Sequence, residues 1–364
     1  MTYNLECPVT GYKDTDVVTM AHGSGGESMQ RLIKEMFAKA FPDLQSDNDA
    51  AVIGVFLENI VISTDSFVVN PIFFPGGDIG SLSVHGTVND ITMMGGIPQW
   101  MTAAFILEEG FPMKDLERIV FSIAEASKKA RVRIVTGDTK VVECSHTKIV
   151  KDEETRETKT VPNPGIYINT TGIGYSKLES WEIPKPEDVA VGNKIIISGD
   201  IGRHGMAIMS VRNGLELDPP ILSDSAPLNF MVRELLHKVR PLCMRDATRG
   251  GVGAVLNEIA RSAKLHLRID EEKVPVDKNV RGLAEILGLD PLNIANEGRF
   301  VLFVKPQDAE KSVEILHQFE GGEKAAIIGE VVAEHKRGLV TAKTLLGSEK
   351  VIHMPAGELL PRIC

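Results

Sequence analysis

The chain has 364 residues, 43% hydrophobic, 25% charged and only 5% aromatic, enough for two ordinary domains with aliphatic cores. A formal net charge of −10 speaks against a nucleic-acid surface, which needs lysine and arginine to displace counterions, but not against a nucleotide held through a divalent metal. No stretch approaches the ~18 uninterrupted apolar residues of a membrane span, and four scattered cysteines without a C-x-x-C pair (Cys7, Cys144, Cys243, Cys364) fit a reducing cytoplasm rather than a disulfide frame or structural zinc.

Residues 1–30 are polar and glycine-rich, carry early acids unlike a signal peptide, and end in His22-Gly23-Ser24-Gly25-Gly26-Glu27. Apolar residues at helical spacing (Met29, Leu32, Ile33, Met36, Phe37) predict a helix over 29–40. The runs 50–57 and 59–63 read as a hairpin, 78–94 and 113–130 as helices, and 133–136 and 165–174 as strands. Between those strands the charge-dense stretch 151–160 reads as a solvated hairpin tip. Trp181, Pro184, Pro186 and Gly192 break all periodicity and mark a boundary near 176–193. The pattern then restarts: strand 194–198, a glycine turn, helix 206–212, a second glycine turn opening a helix over 247–261, and strand 300–304. Strands alternating with helices in both halves predict a two-domain α/β (α+β) protein.

The chemistry-bearing residues are aspartates beside small residues. Ser46-Asp47-Asn48-Asp49, Ser63-Thr64-Asp65-Ser66, Gly76-Gly77-Asp78-Ile79-Gly80, Val88-Asn89-Asp90-Ile91 and Thr136-Gly137-Asp138-Thr139-Lys140 all lie in the first half. One such cluster is ordinarily a cap or turn. Five together point to a metal–phosphate site, because magnesium takes carboxylate and phosphate oxygens and glycines admit backbone N–H groups to phosphates. The loop at 22–26 is a candidate phosphate flap, although it has neither the Walker A lysine nor a preceding strand. In the second half, Arg245-Asp246-Ala247-Thr248-Arg249-Gly250-Gly251 suits an anion or a metal-bound anion at a helix start. Glu297 in Asn296-Glu297-Gly298-Arg299 is either a base or a turn carboxylate, and His85, His204 and His237 read as structural. Cys364 closes the sequence in Pro361-Arg362-Ile363-Cys364, where a thiolate on a flexible end is a potential nucleophile.

Assembled, these residues resemble the HypE family of hydrogenase maturation factors, within the PurM-like superfamily of aminoimidazole ribonucleotide synthetase and selenophosphate synthetase. The likeness is collinear over nearly the whole chain. It rests on HGSGG at 22–26, DNDAAVI at 47–53, STDSF at 63–67, the 70–80 segment, HGTVND at 85–90, MGGIP at 94–98, GDTKV at 137–141, SGDIGRHG at 198–205, RDATRGG at 245–251, NEGR at 296–299 and PRIC at 361–364. The last of these separates the family from relatives that act on free metabolites.

The resemblance implies a two-domain PurM-like fold: a leader and helix over 1–40, an ATP-binding and dimerisation domain over 41–178, a C-terminal α/β sandwich over 179–345, and a flexible tail over 346–364. The N-terminal sheet is expected to pair across a homodimer into a barrel, with ATP between the two halves. The implied metal (Mg2+) ligands are Asp49, Asp78 and Asp246, with Asp65 and Asp90 beside them. Gly23, Gly25, Gly26, Asp138, Thr248, Arg249, Gly250 and Gly251 are the implied phosphate contacts. In the implied reaction the carbamoyltransferase HypF loads a carbamoyl group onto Cys364, ATP drives dehydration of this thiocarboxamide to a thiocyanate, and cyanide passes to iron on a HypC–HypD complex. Glu297 is the expected base, Lys140 an orienting group or alternate base, and the tail is expected inward for dehydration and outward for loading. A metabolite-phosphorylating relative and a non-enzymatic nucleotide-gated carrier are the competing readings.

Overall fold

The structure, a computed structural model, describes residues 26–32, 34, 51–55, 58–151, 158–344, 347–355, 360 and 362–364. It begins with a short helix α1 (Glu27–Leu32); the remainder of the helix expected over 29–40 lies outside the described residues, apart from 34. The expected hairpin forms from β1 (Ala51–Val55) and β2 (Glu58–Phe67). A two-residue pair, β3 (Phe73–Phe74) and β4 (Gly77–Asp78), leads into helix α2 (Ile79–Met93). Strand β5 (Ile97–Glu108), helix α3 (Met113–Ala130) and strand β6 (Arg133–Val142) follow. The hairpin β7 (Thr147–Lys151) and β8 (Thr158–Pro162) leads to β9 (Ile166–Ser176). Among the described residues these strands make a five-stranded sheet in the order β1-β2-β9-β5-β6, open at both edges, with only β5 and β6 parallel. The barrel expected across two subunits is not closed by this single chain.

Helix α2 is the architectural centre. It packs on β2, β9 and β5 and also meets elements of the second half, so it is buried almost all round, as a helix covered on every side must be. Small residues permit that approach. A Cβ at Gly80 would lie 2.5 Å from the Ile119 carbonyl on α3, and one at Gly172 2.6 Å from Ile91. Asp78 starts the helix as its N-cap, with its Oδ1 accepting from the Gly80 and Ser81 amides at 2.8 and 2.9 Å. Ser81 returns the capping-box bond to the Asp78 amide.

The second half contains β10 (Lys194–Ile197), α4 (Arg203–Arg212), α5 (Asn229–Leu236), β11 (Cys243–Asp246) and α6 (Gly251–Ala263). It continues with β12 (Leu265–Asp270), α7 (Lys278–Leu287), β13 (Phe300–Val304), α8 (Ala309–Leu316), β14 (Ala326–Glu334), β15 (Leu339–Lys343) and β16 (Glu349–Val351). Its seven strands run in the order β11-β13-β10-β14-β12-β15-β16. One sheet face packs under α6 through Ile195, Ile197, Val301 and Phe303; the other packs under α5 and α8 through Ile196, Phe300, Leu302 and Val304. Two covered faces explain why Phe-Val-Leu-Phe-Val of β13 is apolar at every position rather than alternating. No helix among the described residues is long and apolar enough to cross a membrane.

Candidate active site

Six side chains from both halves and the chain end share one electrostatic environment: Asp65 on β2, Asp90 on α2, Asp246 at the end of β11, Arg249 in the turn before α6, Glu297 before β13, and Cys364. Each is placed by a local device. Ser66 N–H donates to Asp65 Oδ1 at 2.8 Å, and the Ser63 hydroxyl donates to Asp90 Oδ2. Gly250 and Gly251 have φ of +77° and +62°, so the chain turns sharply into α6 just after Arg249. A Cβ at Gly251 would sit 2.6 Å from the Leu292 and Ile294 carbonyls.

The loop carrying Glu297 is held from three sides. The fully buried Asn296 donates to the Ala247 carbonyl at 2.9 Å and accepts from the Gly202 amide at 2.7 Å. Asp224 Oδ2 accepts from the amides of Glu297 and Gly298 at 3.2 and 3.1 Å. Asn89 on α2 donates to the Ala226 and Glu297 carbonyls while its Oδ1 accepts from the Leu228 amide. At Gly298 a Cβ would lie 1.9 Å from the Asp224 carbonyl oxygen. Gly298→Ala should therefore shift this loop and cost roughly 1–3 kcal/mol, read as a lower urea midpoint with an unchanged slope.

Burial and neighbouring charges raise the proton affinity of Asp65, Glu297 and the Cys364 thiol. Glu297 is 3% exposed and its Oε1 has no hydrogen-bond partner among the described residues. Burial, then the charges of Asp246, Asp65 and Asp224, raise its pKa well above the ordinary value, with Arg249 opposing. Burial raises Asp65 as well, against Arg249 and the Ser66 amide. Burial pushes the Cys364 thiol up to about 12; Arg249 pulls it down, and Glu297, Asp65 and Asp246 add to the rise. Arg249 is correspondingly held charged, chiefly by Cys364.

The last described residues, 362–364, are bonded to the segment that follows β2. Val68 N–H donates to the Cys364 carbonyl at 3.2 Å and Asn70 N–H to the Arg362 carbonyl at 3.0 Å, a short antiparallel ladder just beyond β2. Arg362 Nε returns a bond to the Val68 carbonyl at 2.9 Å. Leu360, Ile363 and Cys364 pack with Phe67, Val69, Ile208 and Ala295, a core cluster contributed by both halves.

Not every expected residue joins this cluster. Asp78 is occupied as the α2 cap, because its position at a helix start places its oxygen over two free amides. Asp138 and Lys140 stand on β6, exposed at every position, where they pair with each other; an edge strand of the open sheet carries them away from Cys364 within this chain. Thr248, Gly250 and Gly251 form the turn at α6. Gly26 is buried at the start of α1, and Gln30 of that helix donates to Glu258 of α6 at 3.0 Å. Gly23, Gly25 and Asp49 lie outside the described residues. Among the described residues no three His, Cys, Asp or Glu side chains form a ready metal cage. His204, Asp224, Asn89 and Asn296 were not marked as functional by sequence. His204 does lie in the SGDIGRHG motif, but its partner is 159 residues away.

Two domains meeting over such a cluster are those of an AIR synthase related protein: residues 47–152 match the N-terminal domain of that group and 190–341 the C-terminal domain. Within it the chain belongs to the HypE family of carbamoyl dehydratases. It is 43% identical over 351 residues to carbamoyl dehydratase HypE of Rhizobium leguminosarum bv. viciae, covering 95% of each chain. It is also similar to a crystal structure of hydrogenase maturation protein HypE in complex with ATP (41% identity, TM-score 0.77, 96% of this chain and 100% of that one). A crystal structure of a HypE–HypF complex matches at 44% identity and TM-score 0.77, covering 89% of this chain and 99% of that one.

Proposed function

We propose that this chain dehydrates an S-carbamoyl group on its own Cys364 to a thiocyanate at the expense of ATP, supplying cyanide for the iron of a nickel–iron hydrogenase. The observation that carries the reading is the seating of Cys364 between the two halves, beside Arg249, Glu297, Asp65 and Asp246. A thiol with no role in chemistry has no reason to be brought among four ionisable groups.

The residues present fit a metal–nucleotide. Asp65 and Asp90 act on the Arg249 guanidinium and Asp246 on the neighbouring Glu297 and Cys364, and the raised affinity of Asp65 and Glu297 for protons is the condition a divalent cation such as Mg2+ relieves. The glycine turn at α6 offers amides to phosphate, and α1 brings the end of the glycine-rich leader to the same helix. When bound, ATP supplies the phosphoryl group that lets the amide oxygen leave as phosphate, and the nitrile closes as both N–H protons depart. Arg249 neutralises charge developing on that oxygen. Glu297 accepts an amide proton; its raised pKa makes its ionised form a strong base, and its Oε1 has no competing donor among the described residues. Exclusion of water by the seated tail protects the product from hydrolysis.

Asp138 and Lys140 would serve this site only across a homodimer, which the open sheet edge and the exposed apolar residues Ile134, Val135, Val141 and Val142 favour. HypF as the loading partner and HypC–HypD as the acceptor complete the reading. The test is intact-protein mass spectrometry of S-carbamoylated chain with MgATP. Loss of one water from the C-terminal peptide, dependent on ATP, is expected; ATP consumption with the carbamoyl mass retained overturns the proposal.

A further inference from the structure

The seated tail has a specific fastener. His204, at the first turn of α4, is completely buried. Its Nε2 lies 2.8 Å from the Ile363 carbonyl and its Nδ1 2.8 Å from the Ser223 hydroxyl. Burial lowers its pKa, outweighing Asp224 and the Ile363 carbonyl, so the ring is neutral with Nε2 protonated. It therefore donates to the tail and accepts from Ser223. Phe74 meets the ring edge-on with centroids 5.3 Å apart, fixing its plane. At the far end of α4, Arg212 donates to the carbonyls of both Asn70 and Arg362, clamping the tail to its ladder partner.

The fastener is tied to the base. Asp224 Oδ1 accepts from the His204 amide at 2.8 Å, and its Oδ2 accepts from the Glu297 and Gly298 amides. One buried carboxylate thus fixes the residue that holds the tail and the residue placed to take the proton. Gly205 sits directly beneath Leu360, where a Cβ would come within 3.3 Å of it and 2.5 Å of Ile294. The start of α4 is therefore shaped for the tail on both its polar and its apolar side.

We propose that His204 and Arg212 are positioning residues forming a latch that seats the C-terminal tail, and that Asp224 couples this latch to the Glu297 loop. The latch deepens the dehydratase reading given above, yet its first test does not depend on that chemistry. The seated thiol carries its proton and is half-buried, so iodoacetamide modifies it faster from the released tail. Released fraction then sets the rate of Cys364 alkylation, read on the C-terminal peptide so that Cys144 does not contribute.

Removing the donor strands the buried Ile363 carbonyl. His204→Leu should raise alkylation roughly five- to a hundredfold, whereas His204→Gln, whose amide nitrogen can take the place of Nε2, should restore much of the protection. A general loosening of the fold would not distinguish leucine from glutamine at equal melting temperature. Arg212→Met keeps the stem of a surface side chain and should raise alkylation with little change in melting, which keeps the test decisive if the His204 variants fold poorly. With preloaded protein, water loss should slow only in proportion to the seated fraction that is lost, while its dependence on ATP concentration stays the same. Unchanged alkylation in both His204→Leu and Arg212→Met overturns the latch and leaves the dehydratase reading intact. Absence of water loss in the unmodified sequence removes that reading and leaves the latch standing.

Discussion

Cys364→Ala is expected to abolish thiocyanate formation completely while leaving the protein folded and able to bind ATP. The carbamoyl group needs a sulfur to ride on, and alanine offers no atom to carry it. The change also removes a half-buried sulfur at the edge of the shared core cluster, so melting should fall by a few degrees at most, the shift expected of about 1 kcal/mol. ATP binding is read separately, by calorimetry, and should persist because the Gly250–Gly251 turn and the carboxylates are untouched. If ATP-dependent water loss survives in the alanine variant, the carrier is another thiol and the functional reading fails. The contrast with a metabolite-phosphorylating relative is complete, since such an enzyme would be indifferent to the substitution.

Glu297→Gln is expected to lower the rate of water loss by ~10²–10⁴, the usual contribution of a positioned base, without lowering stability. The two effects separate because Glu297 is poorly placed for stability. Its carboxyl is buried, its Oε1 has no partner among the described residues, and its pKa is raised by burial and then by Asp246, Asp65 and Asp224. A carboxyl raised on folding binds more protons in the native than in the unfolded state. Its stabilising effect is full below the unfolded value of about 4.5 and is lost as pH rises toward the folded one. Glutamine has no such dependence, so melting of the variant should equal or exceed that of the parent at pH 8, and the gap should narrow toward pH 5. Near-normal turnover of preloaded Glu297→Gln would remove this residue from the mechanism and leave Lys140 of a second copy as the alternate.

What could be read from residues alone was what short-range physics writes into a few consecutive positions. The α3 periodicity over Met113–Ala130 and the continuous apolar run of β13 appear where they were expected. The two glycine turns, expected over 199–205 and at Gly250–Gly251, were likewise visible, because such turns need positive φ or side-chain-free contact, although α4 already begins at Arg203. Strand β5 was not, since Pro98 near its start and the mixed run that follows carry no clean alternation. Local pattern could not separate one aspartate's role from another's: Asp78 and Asp90 bracket the same helix, yet one caps it and the other faces Arg249. Nor could it reveal that His204, apparently solitary, holds the Ile363 carbonyl, or that Val68 and Asn70 pair with the chain end. Those contacts join positions 159 and more residues apart; they exist because the packing of α2 between two sheets brings α4, the Glu297 loop and the tail to one place, and no periodicity along the chain encodes that meeting.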